Sequence, residues 1–123
     1  MNWTFWTAMG SFFAALGVGL GAFGAHALKT RLSPEDLTIF EVGVRYQMYH
    51  ALALLVVGFL ASKIDSSLIK FAGWSFVFGI LVFSGSLYTL VFTGVRTWGA
   101  VTPVGGLLFI VAWLLVGAAV IKS

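Results

Sequence analysis

The sequence predicts an all-α fold, an integral membrane four-helix bundle formed by a single transmembrane domain over residues 1–123, and three observations carry that reading. First, 60% of the residues are hydrophobic and 9% charged, against about a quarter charged in ordinary globular domains. Second, four long apolar runs alternate with polar turn signals. A hydrocarbon core needs about 20 helical residues per crossing, so 123 residues hold four crossings and leave no separate soluble domain. Third, Lys29, Arg31, Arg45, Lys63, Lys70, Arg96 and Lys122 lie mostly near the expected helix ends. That distribution anchors spans and does not form a nucleic-acid patch.

The first helix is expected over about residues 3–27, with Trp3 and Trp6 as interfacial anchors. Gly17, Gly21 and Gly24, together with Gly10, share one helical face, and Gly17-x-x-x-Gly21 has the spacing that lets a second backbone approach closely in lipid. This face is therefore expected to pack, within the subunit or against a neighbour. Ala25-His26-Ala27 has the look of a signal-peptidase site. The apolar run before it is about twice the usual 7–15 residue signal core and follows no Lys or Arg, which predicts a retained helix.

The second helix, about 34–61, opens on Ser33 as N-cap, Pro34 at the first helical position, and Glu35 and Asp36 in the first turn. Leu32 and Leu37 suit a hydrophobic staple, and Gly43 is a candidate bend. Ser62 to Ser67 is a short polar link, so the second and third helices should form an antiparallel hairpin, with Ser66 or Ser67 as cap. The third helix, about 68–92, ends at Thr93-Gly94, where glycine suits the left-handed residue after a helix. The fourth, about 103–121, begins after Thr102 as cap with Pro103, and Gly105, Gly106 and Gly117 are expected close-approach points. The uncharged stretch before the first helix, followed by Lys29 and Arg31, favours both termini outside and the 28–44 connection inside.

Threaded onto this topology, the polar side chains gather at one end. His26, Arg45, Tyr46, Gln47, His50, Ser84, Ser86 and Tyr88 are the candidate residues of one connected polar pocket below the long connections, with Thr102 nearby. Glu41 and Arg45 can pair at i,i+4, as can Tyr46 and His50. Ser84 and Ser86 are the expected partners of His50. An ionisable residue within a span normally turns inward and is a functional candidate by default. The plain structural alternative is that His50 bonds a neighbouring helix and His26 caps a helix end.

Four strings in order, Gly21-Ala22-Phe23-Gly24-Ala25-His26-Ala27-Leu28-Lys29, Tyr46-Gln47-Met48-Tyr49-His50-Ala51-Leu52-Ala53-Leu54-Leu55, Phe83-Ser84-Gly85-Ser86-Leu87-Tyr88 and Thr102-Pro103-Val104-Gly105-Gly106, resemble the YgdD-like small bacterial membrane proteins grouped as domain of unknown function 423. The resemblance implies a multi-pass, four-helix protein of the bacterial inner membrane and carries no catalytic residues across. One departure is Ala112-Trp113, where the family pattern would place glycine before the tryptophan.

With no cysteine, disulfides, thiolate nucleophiles and thiolate-held metals drop out. His26 and His50 match no metal-ligand spacing, and no cofactor or metal is expected. The leading expectation is a non-enzymatic scaffold, accessory subunit or lipid-binding protein. Its expected partners are membrane lipid and, beyond that, a second copy or a larger membrane complex, with no nucleic acid. A proton or small-solute transporter using the one-sided pocket, and an enzyme acting on a lipid headgroup, remain as alternatives.

Overall fold

The computed structural model describes residues 2–123. Helix α1 spans Trp3–Phe23 and runs into a π-helical turn at Gly24–Leu28; α2 spans Pro34–Lys63, α3 Ser67–Thr93 and α4 Thr102–Lys122, with a short 3-10 turn at Arg96–Ala100 before α4. Each is long and apolar enough to cross a membrane, when α1 and α4 are taken with their adjoining turns.

Local chemistry sets the helix ends. The Ser33 hydroxyl accepts the Asp36 N–H at 3.1 Å, and Ser66 accepts the Leu68 N–H at 3.2 Å, each satisfying a donor that the first turn leaves free. Gly94 closes α3 at φ 73°, its N–H donating to the Leu90 carbonyl; a side chain there would strain the backbone. Asp36 also accepts from Arg96 at 2.8 Å, tying the start of α2 to the turn before α4. At this exposed position water and salt screen the ion pair, which is a weak tether.

The four helices pack as an alternating antiparallel series. Along α1 and α2, Gly10 faces Ala51 and Leu54, Gly17 faces Met48, and Gly24 faces Phe40, so the register runs in opposite directions. Across α3 and α4 the same inversion pairs Gly79 with Phe109 and Phe83 with Gly105. Helices α2 and α3 form the inner pair, with α1 laid along α2 and α4 along α3. Trp3, the link between α2 and α3, and Lys122 consequently share one end of the bundle.

Aromatic rings seated on glycines make these contacts close. A Cβ built on Gly73 would lie 2.6 Å from the Trp6 ring, on Gly79 2.6 Å from Phe109, on Gly43 2.8 Å from Tyr88, and on Gly24 2.5 Å from Phe40. Lipid is as apolar as the side chains it would replace, so such close van der Waals contact, and not burial from water, drives helix association. Trp6 accordingly departs from the expected interfacial anchor. It is fully buried, with Phe5 and Trp74 edge-on at 4.9 and 5.4 Å, because its face of α1 is the one directed at Gly73. Trp3 remains exposed.

Of the three glycines expected to bring α4 close, Gly105 does so, against the backbone of Phe83, whereas Gly106 and Gly117 face open space. Leu107, Ile110, Leu114 and Ile121 project outward from α4. Such an apolar exterior suits hydrocarbon and would be an aggregation surface in water.

Candidate functional site

The residues expected to form the polar pocket separate by helical rotation. On α2, Gly43, Gln47, His50 and Leu54 recur at the spacing of one buried face. Arg45 lies two residues from Gln47, roughly 200° around the helix, and is exposed.

Gln47 is the junction of three helices. Its amide nitrogen donates to the Phe13 carbonyl on α1 at 2.9 Å, and its amide oxygen accepts the Tyr88 hydroxyl on α3 at 2.7 Å. Phe13 lies one turn before Gly17, whose missing side chain leaves room for Met48 and the Gln47 amide. Ser84 donates to the Gly43 carbonyl at 2.6 Å, directly beneath the Tyr88 ring, so Gly43, read from sequence as a bend, is a docking point for α3.

His50 takes neither Ser84 nor Ser86 as partner. Its Nδ1 lies 2.7 Å from the Tyr46 carbonyl, and its Nε2 accepts the indole N–H of Trp113 on α4 at 3.2 Å. An indole can only donate, so Nε2 carries no proton and Nδ1–H donates to the carbonyl: the ring is neutral and both nitrogens are engaged. It stacks on Phe109 at 3.6 Å with an interplanar angle of 5°. By polarity alone the α3 serines are the expected partners, and an indole on an apolar helix carries no comparable signal. Trp113 was missed as a partner, although it follows Ala112, the position where the family pattern differs; Ala112 is completely buried.

Ser86 pairs with α4 instead. Its hydroxyl lies 2.8 Å from the Phe83 carbonyl and 2.6 Å from the Thr102 hydroxyl, with which it shares a hydrogen bond. Thr102 thus serves the α3–α4 contact, and α4 begins without a side-chain cap. Ser75, in the half of the bundle read as apolar, makes a second bond of this kind to the Leu108 carbonyl at 2.7 Å.

His26 stays outside, its Nδ1 2.8 Å from the Ala22 carbonyl in the π-helical turn. Glu41 and Arg45, expected to pair, do not form a salt bridge; the one ion pair among the described residues is Arg96–Asp36. Both line a cavity of about 150 Å³ with Gly21, Gly24, Phe40 and Val44. A second cavity of about 180 Å³ lies between α1 and α3, walled by Phe13, Leu16, Ile80 and Leu81 over Gln47 and Tyr88. Among the described residues no three His, Asp or Glu side chains gather as a metal site would require. The eight residues therefore divide into a Gln47–Tyr88 junction with Ser84 beside it, a His50–Trp113 pair stacked near Tyr46, a Ser86–Thr102 pair, and two exterior groups, His26 and Arg45.

Comparison with known proteins agrees with this membrane architecture. A family model described as "Protein of unknown function (DUF423)" matches residues 20–106. A UPF0382 membrane protein of Staphylococcus epidermidis (strain ATCC 12228 / FDA PCI 1200) is 50% identical over 114 residues, covering 93% of each chain. The UPF0382 membrane protein YwdK of Bacillus subtilis (strain 168) is 46% identical over 115 residues, covering 93% of this chain and 94% of its own. No solved structure matches significantly. The relatives carry "membrane protein" in their names, as the four apolar helices require, and the family model spans the end of α1 through the start of α4. On this evidence the chain is a multi-pass membrane protein belonging to the DUF423 family.

Proposed function

We propose that this protein is a non-enzymatic lipid-binding protein of the bacterial inner membrane, acting as a scaffold or accessory subunit there. The observation that carries the reading is the division of labour among its polar groups. Gln47, His50, Ser84, Ser86 and Tyr88 are committed to bonds that hold helices together, whereas the charged pair Glu41 and Arg45 stands at the mouth of a surface cavity with apolar walls. A rigid bundle with side clefts is suited to hold acyl chains and neighbouring spans. The uncharged α1 entrance, followed by Lys29 and Arg31, supports both termini outside.

The test is purification of the full-length protein from bacterial membranes in mild detergent, with mass spectrometry of co-purifying lipids and proteins. A lipid retained in stoichiometric amount is the expected result. Lipid-free protein that conducts protons in proteoliposomes would overturn the reading in favour of transport.

A further inference from the structure

We infer that the cleft between the end of α1 and the start of α2 binds a phospholipid with a primary-amine headgroup, its phosphate on Arg45 and its ammonium on Glu41. The inference rests on the lipid-binding reading above and assigns it a site and a headgroup.

Depth is the first argument. Arg45 precedes Lys63 by 18 residues of continuous α2, about 27 Å of helix at 1.5 Å per residue, close to the hydrocarbon thickness of about 30 Å. With Lys63 at one interface, Arg45 stands at the glycerophosphate level of the other. On α1, Trp3 and Gly21 are also 18 residues apart, so the glycine side of the cleft reaches the same level.

Charge is the second. Arg45 and Glu41 are exposed, one turn apart on the same face of α2, and do not bridge each other. A cation and an anion so placed complement a zwitterion whose phosphate and amine are joined by two carbons. The guanidinium fork matches phosphate oxygens, and the carboxylate accepts from an ammonium. Glu41, the member nearer the start of α2, lies farther toward water than Arg45, as an ethanolamine nitrogen lies farther out than its phosphate. A choline group offers no N–H to Glu41, and a glycerol headgroup offers no cation.

Shape is the third. Gly21, Gly24, Phe40 and Val44 wall the cavity of about 150 Å³ beside the charged pair, at the headgroup level. The Phe40 edge fills the place of a side chain on Gly24, while a Cβ on Gly21 would touch only Val44, so it is at Gly21, level with Arg45, that the cleft stays open for the phosphate end of the headgroup.

The experiment is native mass spectrometry of the full-length protein in one detergent, titrated separately with dioleoyl phosphatidylethanolamine, phosphatidylcholine and phosphatidylglycerol. The ethanolamine lipid should bind about three- to tenfold more tightly than the other two, the range expected for one charge-assisted hydrogen bond in a partly wet site. Glu41→Gln should erase that preference, Arg45→Gln should weaken all three lipids, and Lys122→Gln at the opposite end should change nothing. Equal binding of the three lipids by the unsubstituted protein, or a preference that survives Glu41→Gln, overturns the headgroup assignment while lipid binding itself stands. Failure to retain any of the lipids overturns both.

Discussion

Gly105 and Gly106 are neighbours on α4 at nearly the same depth, yet replacing each by alanine should move stability in opposite directions. A Cβ on Gly105 would lie 2.6 Å from Phe83 Cβ and 2.7 Å from its Cα, where ordinary contact begins at 3.4 Å; on Gly106 it would meet nothing within 4 Å. The obstacle at Gly105 is largely backbone, the Phe83 nitrogen nearest of all, so no rotamer change relieves it and α3 and α4 must part by about 1 Å. Overpacking of this kind costs about 1–3 kcal/mol. Parting also stretches the Ser86–Thr102 and Ser75–Leu108 bonds, which flank the contact at 2.6 and 2.7 Å and are worth about 0.6 kcal/mol each by membrane double-mutant cycles. Against this, alanine gains about 0.8–1 kcal/mol of helix propensity. Gly105→Ala should therefore lose roughly 1–3 kcal/mol on balance, and Gly106→Ala should be neutral or gain up to about 1 kcal/mol. Unfolding free energies from SDS titration in mixed micelles measure both. Equal effects from the two substitutions, or a Gly105→Ala protein as stable as the unsubstituted chain, would refute the backbone contact between α3 and α4.

Three further outcomes follow from the polar junctions and the topology. Gln47→Leu and Tyr88→Phe should each destabilise the bundle and show a coupling energy of about 0.6–1.7 kcal/mol in a double-mutant cycle; additive effects would mean that the 2.7 Å bond does not form. Nitrogen-15 NMR of labelled His50 should report a neutral ring with its proton on Nδ1, and Trp113→Phe should shift the Nε2 resonance; an Nε2–H tautomer would break the Trp113 assignment. Reporter fusions at residues 1, 64 and 123 should agree with one another and oppose a fusion at 31, and disagreement among the first three would contradict an even number of crossings.

Legibility in the sequence followed the range of the interaction. Ser33, Pro34, Ser66 and Gly94 act on backbone groups two to four residues away, so their roles can be read from neighbours in the chain. The Gly10, Gly17 and Gly24 face was likewise visible, because helical periodicity places those positions together before any partner is known. Its partner, α2 of the same chain, was not visible.

What the sequence by itself determined is the set of spans, since the bilayer imposes a length and an apolarity that each helix must satisfy alone. It also determined which polar residues would share a depth. Tertiary structure decided how they pair. Trp113 reached His50, Thr102 left its capping position for Ser86, and Trp6 entered the core, because each choice depends on the rotation of one helix against another and on which glycine offers a gap. Rotation is not encoded strongly by hydropathy in a chain that is apolar on nearly every face. It is fixed only when rings and glycines on different helices meet at van der Waals distance.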